Sequence, residues 1–464
     1  MQRFALALFV IMTPLVLSAQ DYLALHPENP HYFVYRGKPL ILITSAEHYG
    51  ALINLDFDYE VYLQTLKADR LNLTRTFSGA YVEPFGAFNI AENTLAPASG
   101  RFIAPWPRTE VQGYAGGGNK FDLSRWDERY FSRLRDFISK ARDNGVIVEF
   151  TFFCPFYEDV QWQLSPMNAT NNVNHVGNVG RNDVYTLDRN GGLLAIQEAL
   201  VRKIVTELRT YGNVIYEICN EPYFGGVTME WQHRIADVII ETEKELGVKH
   251  LISQNIANEA ARIVDPHPGV SVFNFHYAWP PVAISQNYQL GKVIGDNETG
   301  FDGNADSTYR REGWAFILAG GALYNNLDYS FTAGHEGGTF AYPATQPGGG
   351  SKALRQQLAH LKAFMERFAF VSMQPDSTVV SGLNTGVTVQ ALAEEGKQYA
   401  VYLSGGGQQD VTLRLPPGTY SAEWLNTTMG SWHAPTRVVS RNGSARLKVP
   451  DYRFDIALRV IRLR

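Results

Sequence analysis

Two glutamates, each closing a short apolar run, are the residues of this chain best suited to chemistry. The first ends Val214-Ile215-Tyr216-Glu217-Ile218-Cys219-Asn220-Glu221-Pro222, where proline stops further ladder pairing. The second lies in Lys292-Val293-Ile294-Gly295-Asp296-Asn297-Glu298-Thr299-Gly300. Two carboxylates at strand ends can divide displacement at an anomeric carbon between them. One protonates the leaving oxygen, and the other attacks or directs water. Glu221 is the candidate acid/base and Glu298 the candidate nucleophile, with the Asn220 amide placed to bond a sugar hydroxyl. An isolated Asn-Glu-Pro more often simply ends a strand; the second glutamate and the rhythm around the pair argue for the chemical role.

That rhythm is eight short strands alternating with helical patterns. The strands are Pro39–Thr44, Leu71–Phe77, Val146–Phe153, Val214–Cys219, His250–Gln254, Val270–His276, the run carrying Glu298, and Gly321–Asp328. Helical periodicity marks Asp58–Arg70, Arg125–Asn144, Gly192–Tyr211, Trp231–Leu246, Arg311–Leu318 and Ser351–Phe370. The pattern predicts an α/β fold, a (β/α)8 TIM barrel, over residues 21–372, with catalytic groups at the carboxyl ends of its strands. Before it, Tyr32–Tyr35 and a turn at Arg36-Gly37-Lys38 predict an opening strand pair. Segments 78–125 and 154–190 exceed the usual βα loop and read as functional insertions. After Met373 the helical period ends. Short runs separated by Glu395-Gly396, Gly405-Gly406-Gly407, Pro416-Pro417-Gly418 and Asn442-Gly443 predict a small all-β sandwich over 373–464.

Composition narrows the function. A chain of 464 residues with 45% hydrophobic content suits a large barrel plus one module, and a formal charge of −5 argues against a nucleic-acid surface. Nor does it support binding to an anionic membrane. Residues 1–20 read as a signal peptide: Arg3, an apolar stretch from Phe4 to Leu17, then Leu17-Ser18-Ala19. The expectation is a secreted or periplasmic protein, with no lipid anchor, because no cysteine follows the cleavage site. Cys154 and Cys219 are the two cysteines, at neighbouring strand ends, and read equally as a disulfide or as buried thiols. No His-Glu-x-x-His spacing, Gly-x-Gly-x-x-Gly turn or Gly-x-Ser-x-Gly elbow occurs, so neither metal nor nucleotide cofactor is implied.

Together, the Asn-Glu on strand four and the Glu on strand seven resemble the clan A retaining glycoside hydrolases, the cellulase-like (β/α)8 enzymes. That resemblance implies a carbohydrate substrate, no cofactor, and the roles given above to Glu221 and Glu298. It implies an arginine near the nucleophile, matched by Arg75, and an aromatic hydrogen-bonding the nucleophile from strand six, matched by His276-Tyr277. Arg75 has an alternative role, tying down the buried Glu217, whose parity matches that of Glu221. Glu47 and His48 are candidate sugar contacts or, equally, ordering groups of the first loop. Asp296 is a candidate pKa-raising neighbour of Glu298 or a structural acid. Trp162, Trp279 and Trp106 are candidate stacking platforms, with loop packing as the alternative. Strand eight departs from the clan in offering Tyr329 or Phe331 where a tryptophan is usual. Strand three departs in ending at Cys154 where many relatives place a histidine. The rival readings are a non-catalytic carbohydrate-binding barrel and a transglycosylase.

Overall fold

Runs of β-branched and aromatic residues, buried on both faces, form a parallel sheet in the computed structural model, which describes residues 22–463. Its strands are β1 (Leu42–Ala46), β2 (Leu73–Phe77), β3 (Ile147–Phe153), β4 (Val214–Cys219), β5 (Leu251–Asn258), β6 (Val270–His276), β7 (Val293–Thr299) and β8 (Leu323–Leu327). The hydrogen-bonded order is β1-β8-β7-β6-β5-β4-β3-β2, so the ends of the sheet are β1 and β2. Asn72 joins them. Its N–H donates to Ile43 O at 3.3 Å, its Oδ1 accepts from Ile43 N at 2.9 Å, and its amide donates to Ile41 O at 2.8 Å. One side chain thus does the work of a ladder and closes the barrel. The signal peptide expected at 1–20 lies outside the described residues.

Helices Tyr59–Ala68, Glu128–Asp143, Leu193–Leu208, Met229–Leu246, Asp306–Leu318 and Lys352–Met365 pack around the sheet. Several start on a side-chain cap: Asp58, Asp127, Thr228 and Ser351 each accept from a first-turn N–H. No helix forms between β5 and β6, where Pro266 and Pro268 interrupt the connection, and β6 leads to a helix of only six residues, Val282–Asn287. The opening hairpin differs from expectation. Lys38–Leu40 pairs with Phe33–Tyr35, so Pro39 and Leu40 belong to the hairpin and β1 starts at Leu42. Arg36 and Gly37 both take positive φ (51° and 72°), as a two-residue hairpin turn requires. Contacts from Leu23 N to Gly212 O and from His31 Nδ1 to Lys292 O set this segment against the amino ends of β4 and β7, the pole opposite the glutamates.

The carboxyl-terminal region holds two antiparallel sheets. Six strands run in the order Gln374–Pro375, Thr388–Glu394, Gln398–Ser404, Asp455–Arg462, Gly418–Leu425, Thr436–Ser440. The other three are Val380–Ser381, Asp410–Arg414 and Ser444–Lys448. Strand Gln398–Ser404 is buried throughout because it has two cores to fill. Tyr399, Val401 and Leu403 face the core of the sandwich, while Ala400 and Tyr402 join the core of the barrel. Tyr402 stacks on Trp314, and Trp432 stacks on Phe364. Arg310 makes a buried ion pair with Asp455 at 2.6 Å. The sandwich braces the two barrel helices Asp306–Leu318 and Lys352–Met365.

Candidate active site

The carboxyl ends of β1, β4 and β6 leave the sheet through backbone that L-residues seldom adopt. Tyr49 (φ 60°), Glu221 (φ 36°) and Tyr277 (φ 51°) all carry positive φ without being glycine. Each such residue costs of order 1–3 kcal/mol, and such strain collects at functional sites. A register shift between Phe275 and His276 adds a further local device, since it sets His276 opposite Glu298 on β7.

These turns deliver two carboxylates to one imidazole. His276 Nδ1 lies 3.0 Å from Glu221 Oε1 and 3.5 Å from Glu298 Oε1. Glu298 is held by three donors: Tyr49 Oη and Arg75 Nη1 on Oε2, at 2.9 and 3.1 Å, and Tyr277 Oη on Oε1 at 2.8 Å. Glu221 accepts from Tyr157 Oη at 2.5 Å and Tyr223 Oη at 3.2 Å. Arg75 serves both roles set out for it. Its Nε and Nη2 bind Glu217 Oε2, its Nη2 also reaches Asn220 Oδ1 at 2.7 Å, and its Nη1 reaches Glu298. Beneath it, Glu217 and Glu149 share the amides of Asn297 and Asn274 within the barrel.

Electrostatics divides these groups. Burial opposes ionisation of Glu221, but the bond to His276 and the charge of His276, with the two tyrosines, hold its carboxyl below the ordinary glutamate range. Burial likewise opposes the charge on His276, and Glu298 and Glu221 outweigh it, holding the imidazole above its usual value. Both shifts favour the proton on His276, whose Nδ1 is within hydrogen-bond distance of Glu221. Glu149 is raised, by burial first and then by Glu217. Asp296 is raised by burial and by Glu312; it is a buried acid of the strand, and Glu298 is a lesser neighbour to it.

The cavity over the pair measures about 280 Å3 and is lined by His48, Tyr49, Glu83, Tyr157, Asn220, Glu221, Tyr277 and Glu298 with Phe77, Phe88, Phe224 and Phe301. Of the expected residues, Asn220, Glu221, Glu298, Tyr277 and His48 line it directly, while Arg75 and His276 support them from below. Glu47 turns away. Its carboxylate accepts from Gly50 N, Ala51 N and Thr94 Oγ1, which orders the first loop. Trp162 is loop packing, with its Nε1 donating to Val179 O at 2.8 Å and its ring against Phe156. Trp279 lies outside the cavity lining, under the guanidinium of Arg311. Trp106 lines a different surface hollow of about 950 Å3, near helix Glu128–Asp143, that contains neither glutamate. Tyr329 is buried against His48, and Phe331 packs on Tyr62. Cys154 and Cys219 are free buried thiols.

Sequence reasoning missed Tyr49, Tyr157, Tyr223 and Glu83. Tyr49 and Tyr223 did carry a signal, since each lies within two residues of a candidate, His48 and Glu221. Glu83, inside an insertion of unpredictable path, carried none. Glu221, His276 and Glu298 also bring three possible metal-ligand atoms within 4.8 Å of one another, the one such group among the described residues. Every carboxylate oxygen in it already accepts from a tyrosine or Arg75, so the group is organised for hydrogen bonding.

The sequence matches no protein-family profile and no curated protein. The structure is similar to that of a candidate glycoside hydrolase from Bacteroides vulgatus, with a TM-score of 0.70 at 13% identity over 96% of this chain and 83% of that one. A family 5 glycoside hydrolase from the same organism aligns with a TM-score of 0.63 at 15% identity, over 96% of this chain and 94% of that one. A family 5 mannosidase from Rhizomucor miehei aligns with a TM-score of 0.52 at 11% identity, over 75% of this chain and 99% of that one. At such identities the likeness shows the fold alone, and in the Bacteroides proteins it extends over almost the whole of this chain, barrel and sandwich together.

Proposed function

We propose that the protein is an exported retaining glycoside hydrolase that cleaves β-glycosidic bonds of poly- or oligosaccharides. The observation that carries this reading is the placing of Glu221 and Glu298 in one cavity, on one imidazole nitrogen, with an oxygen of each within 4.8 Å. Retaining enzymes keep their carboxyl groups about 5–5.5 Å apart, whereas inversion needs roughly 6.5–9.5 Å to admit water.

The two acids are held differently, and the difference supports separate roles for them. Arg75, Tyr49 and Tyr277 donate to both oxygens of Glu298 and fix its carboxylate, as suits a nucleophile that attacks the anomeric carbon. Glu221 has His276 beside it as a proton source, as suits the group that protonates the departing oxygen. Attack by Glu298 forms a glycosyl ester and breaks the glycosidic bond as Glu221, protonated from His276, passes that proton to the departing oxygen. Glu221, now ionised, takes a proton from water, and the resulting attack releases the sugar and frees Glu298. Arg75 and Asn220, bonded to each other, keep the floor of the site fixed throughout. A cavity of about 280 Å3 falls just below the ~300–1,000 Å3 usual for ligand pockets, which favours a single sugar at a chain end.

The test is turnover of aryl β-glycosides and polysaccharides, with the product anomer followed by NMR. Glu298→Ala is expected to abolish turnover of every substrate. Glu221→Ala is expected to keep measurable activity only where the leaving group needs no protonation, as with 2,4-dinitrophenol. An inverted product would sink the retaining mechanism. Sugar binding without any turnover would favour a carbohydrate-binding protein.

A further inference from the structure

His48, from the loop after β1, and Glu83, from the 78–125 insertion, line the cavity but have no part in the displacement. Glu83 is held from several directions. Its Oε1 accepts from Tyr81 Oη at 3.1 Å, its Oε2 accepts from the Asn93 amide, and its backbone N–H donates to Leu95 O at 2.9 Å. Asn93 is itself fixed, accepting from Leu95 N at 2.8 Å. This framework aims a carboxylate at His48, whose Nε2 lies 3.4 Å from Glu83 Oε2. The His48 ring stacks with Tyr49 and with Tyr329 and is 8% exposed. Its other nitrogen, Nδ1, is buried and has no hydrogen-bond partner. A buried polar atom left without a partner is costly, and the ring that carries this one borders the cavity, where a ligand can supply the partner.

The position tells which part of a ligand that is. Tyr49, adjacent to His48, donates to Glu298, so the dyad stands on the nucleophile's side of the cavity. The sugar ring under attack occupies that side, and the leaving group lies towards Glu221. We propose that His48, oriented by Glu83, is a specificity-determining residue that hydrogen-bonds one hydroxyl of the sugar ring in the cavity. The substrate class is then glycosides whose terminal sugar carries that hydroxyl free. The inference rests on the glycosidase reading, and the experiment separates the two.

Take the best-turned-over of the 4-nitrophenyl β-glycosides of glucose, galactose, mannose and xylose, and compare it with its monodeoxy analogues. In the parent protein, loss of one particular hydroxyl is expected to lower kcat/KM by roughly 10- to 100-fold. In His48→Ala the intact glycoside should fall to the level of that analogue, so that the difference between them vanishes while the other analogues keep their ranking. Glu83→Gln, which preserves the shape and one accepting oxygen but removes the charge, should narrow the difference without abolishing it. Unchanged ratios for all analogues in His48→Ala would overturn the proposal. The same sugars are then titrated calorimetrically into Glu298→Gln with and without His48→Ala. Position-specific weakening without turnover in the parent would keep the inference and reject the glycosidase. Binding indifferent to every deoxygenation rejects the inference, and neither binding nor turnover rejects both.

Discussion

The mouth of the barrel and its contact with the sandwich both bury charged groups, yet they are built in opposite ways. At the mouth, Tyr49, Glu221 and Tyr277 occupy strained backbone, and two histidines each leave a ring nitrogen unpartnered, Nδ1 of His48 and Nε2 of His276. At the contact, Arg310 bonds both oxygens of Asp455 and also Gln357 Oε1, and Thr427 Oγ1 completes the carboxylate. Beyond Tyr277 no described residue other than glycine has a positive φ. The ion-pair network there is satisfied, although Tyr402 Oη and Trp314 Nε1 beside it lack partners, and a satisfied charge network has finished its work on folding. One with strain and spare valence is arranged for a partner that folding does not supply. The difference predicts that the two regions answer to different assays.

Glu298→Gln should show the largest effect. Removal of the proposed nucleophile should lower turnover on the order of 10⁴-fold or more. Arg75 keeps Glu217 and Asn220 as partners, so the melting temperature should stay within a few degrees of the parent's. Differential scanning calorimetry beside an activity assay checks both halves. A collapse of Tm would mean that the mouth carries stability as well as chemistry.

Asp455→Ala reverses the pattern. It strands the Arg310 guanidinium, 3% exposed in its side chain, and removal of one partner of a buried pair costs about 3–5 kcal/mol. Chemical denaturation should show this loss, while kcat/KM of the folded fraction at low temperature stays within about threefold of the parent's. A large fall in kcat/KM would show that the sandwich contact reaches the site through helix Asp306–Leu318.

The same contrast explains what was legible in the sequence. The barrel was readable because its strands are buried on both faces and its helices carry a clean apolar stripe. The glutamates were readable because strand ends announce themselves. The strands Thr436–Ser440 and Ser444–Lys448 went unread because they are edge strands with few buried residues, so little alternation survives. The contact at Glu83 was hidden for a different reason. Its position depends on Asn93 and Leu95 folding back across the insertion, and no local period encodes such a path. Glu47 and Trp162 look like site residues in the sequence. Only the backbone N–H groups and the carbonyl that they bind show that they order loops.

The smallest predicted effect concerns pH, and it sharpens the comparison by isolating a group that belongs to neither network. Glu312 is buried on helix Asp306–Leu318, accepting from Thr299 Oγ1 at 2.7 Å. Burial, with Asp302 adding to it against the Thr299 bond, pushes its carboxyl up to about 7. The folded protein therefore holds a proton that the unfolded chain has released between the ordinary glutamate value and pH 7. Stability must fall as pH rises through that window, by up to roughly 3 kcal/mol from this group, and level off above it. Glu47, also raised to about 7 by burial, contributes with the same sign, and Glu221, held low, contributes with the opposite sign below it. Glu312→Gln keeps the bond to Thr299 and removes one titration. Urea denaturation at pH 4.5, 5.5, 6.5 and 7.5 should show a shallower decline in the variant, with the curves converging towards pH 4.5. A parallel pair of curves would mean that Glu312 is ionised in the folded state and that Arg311 or bound water neutralises it.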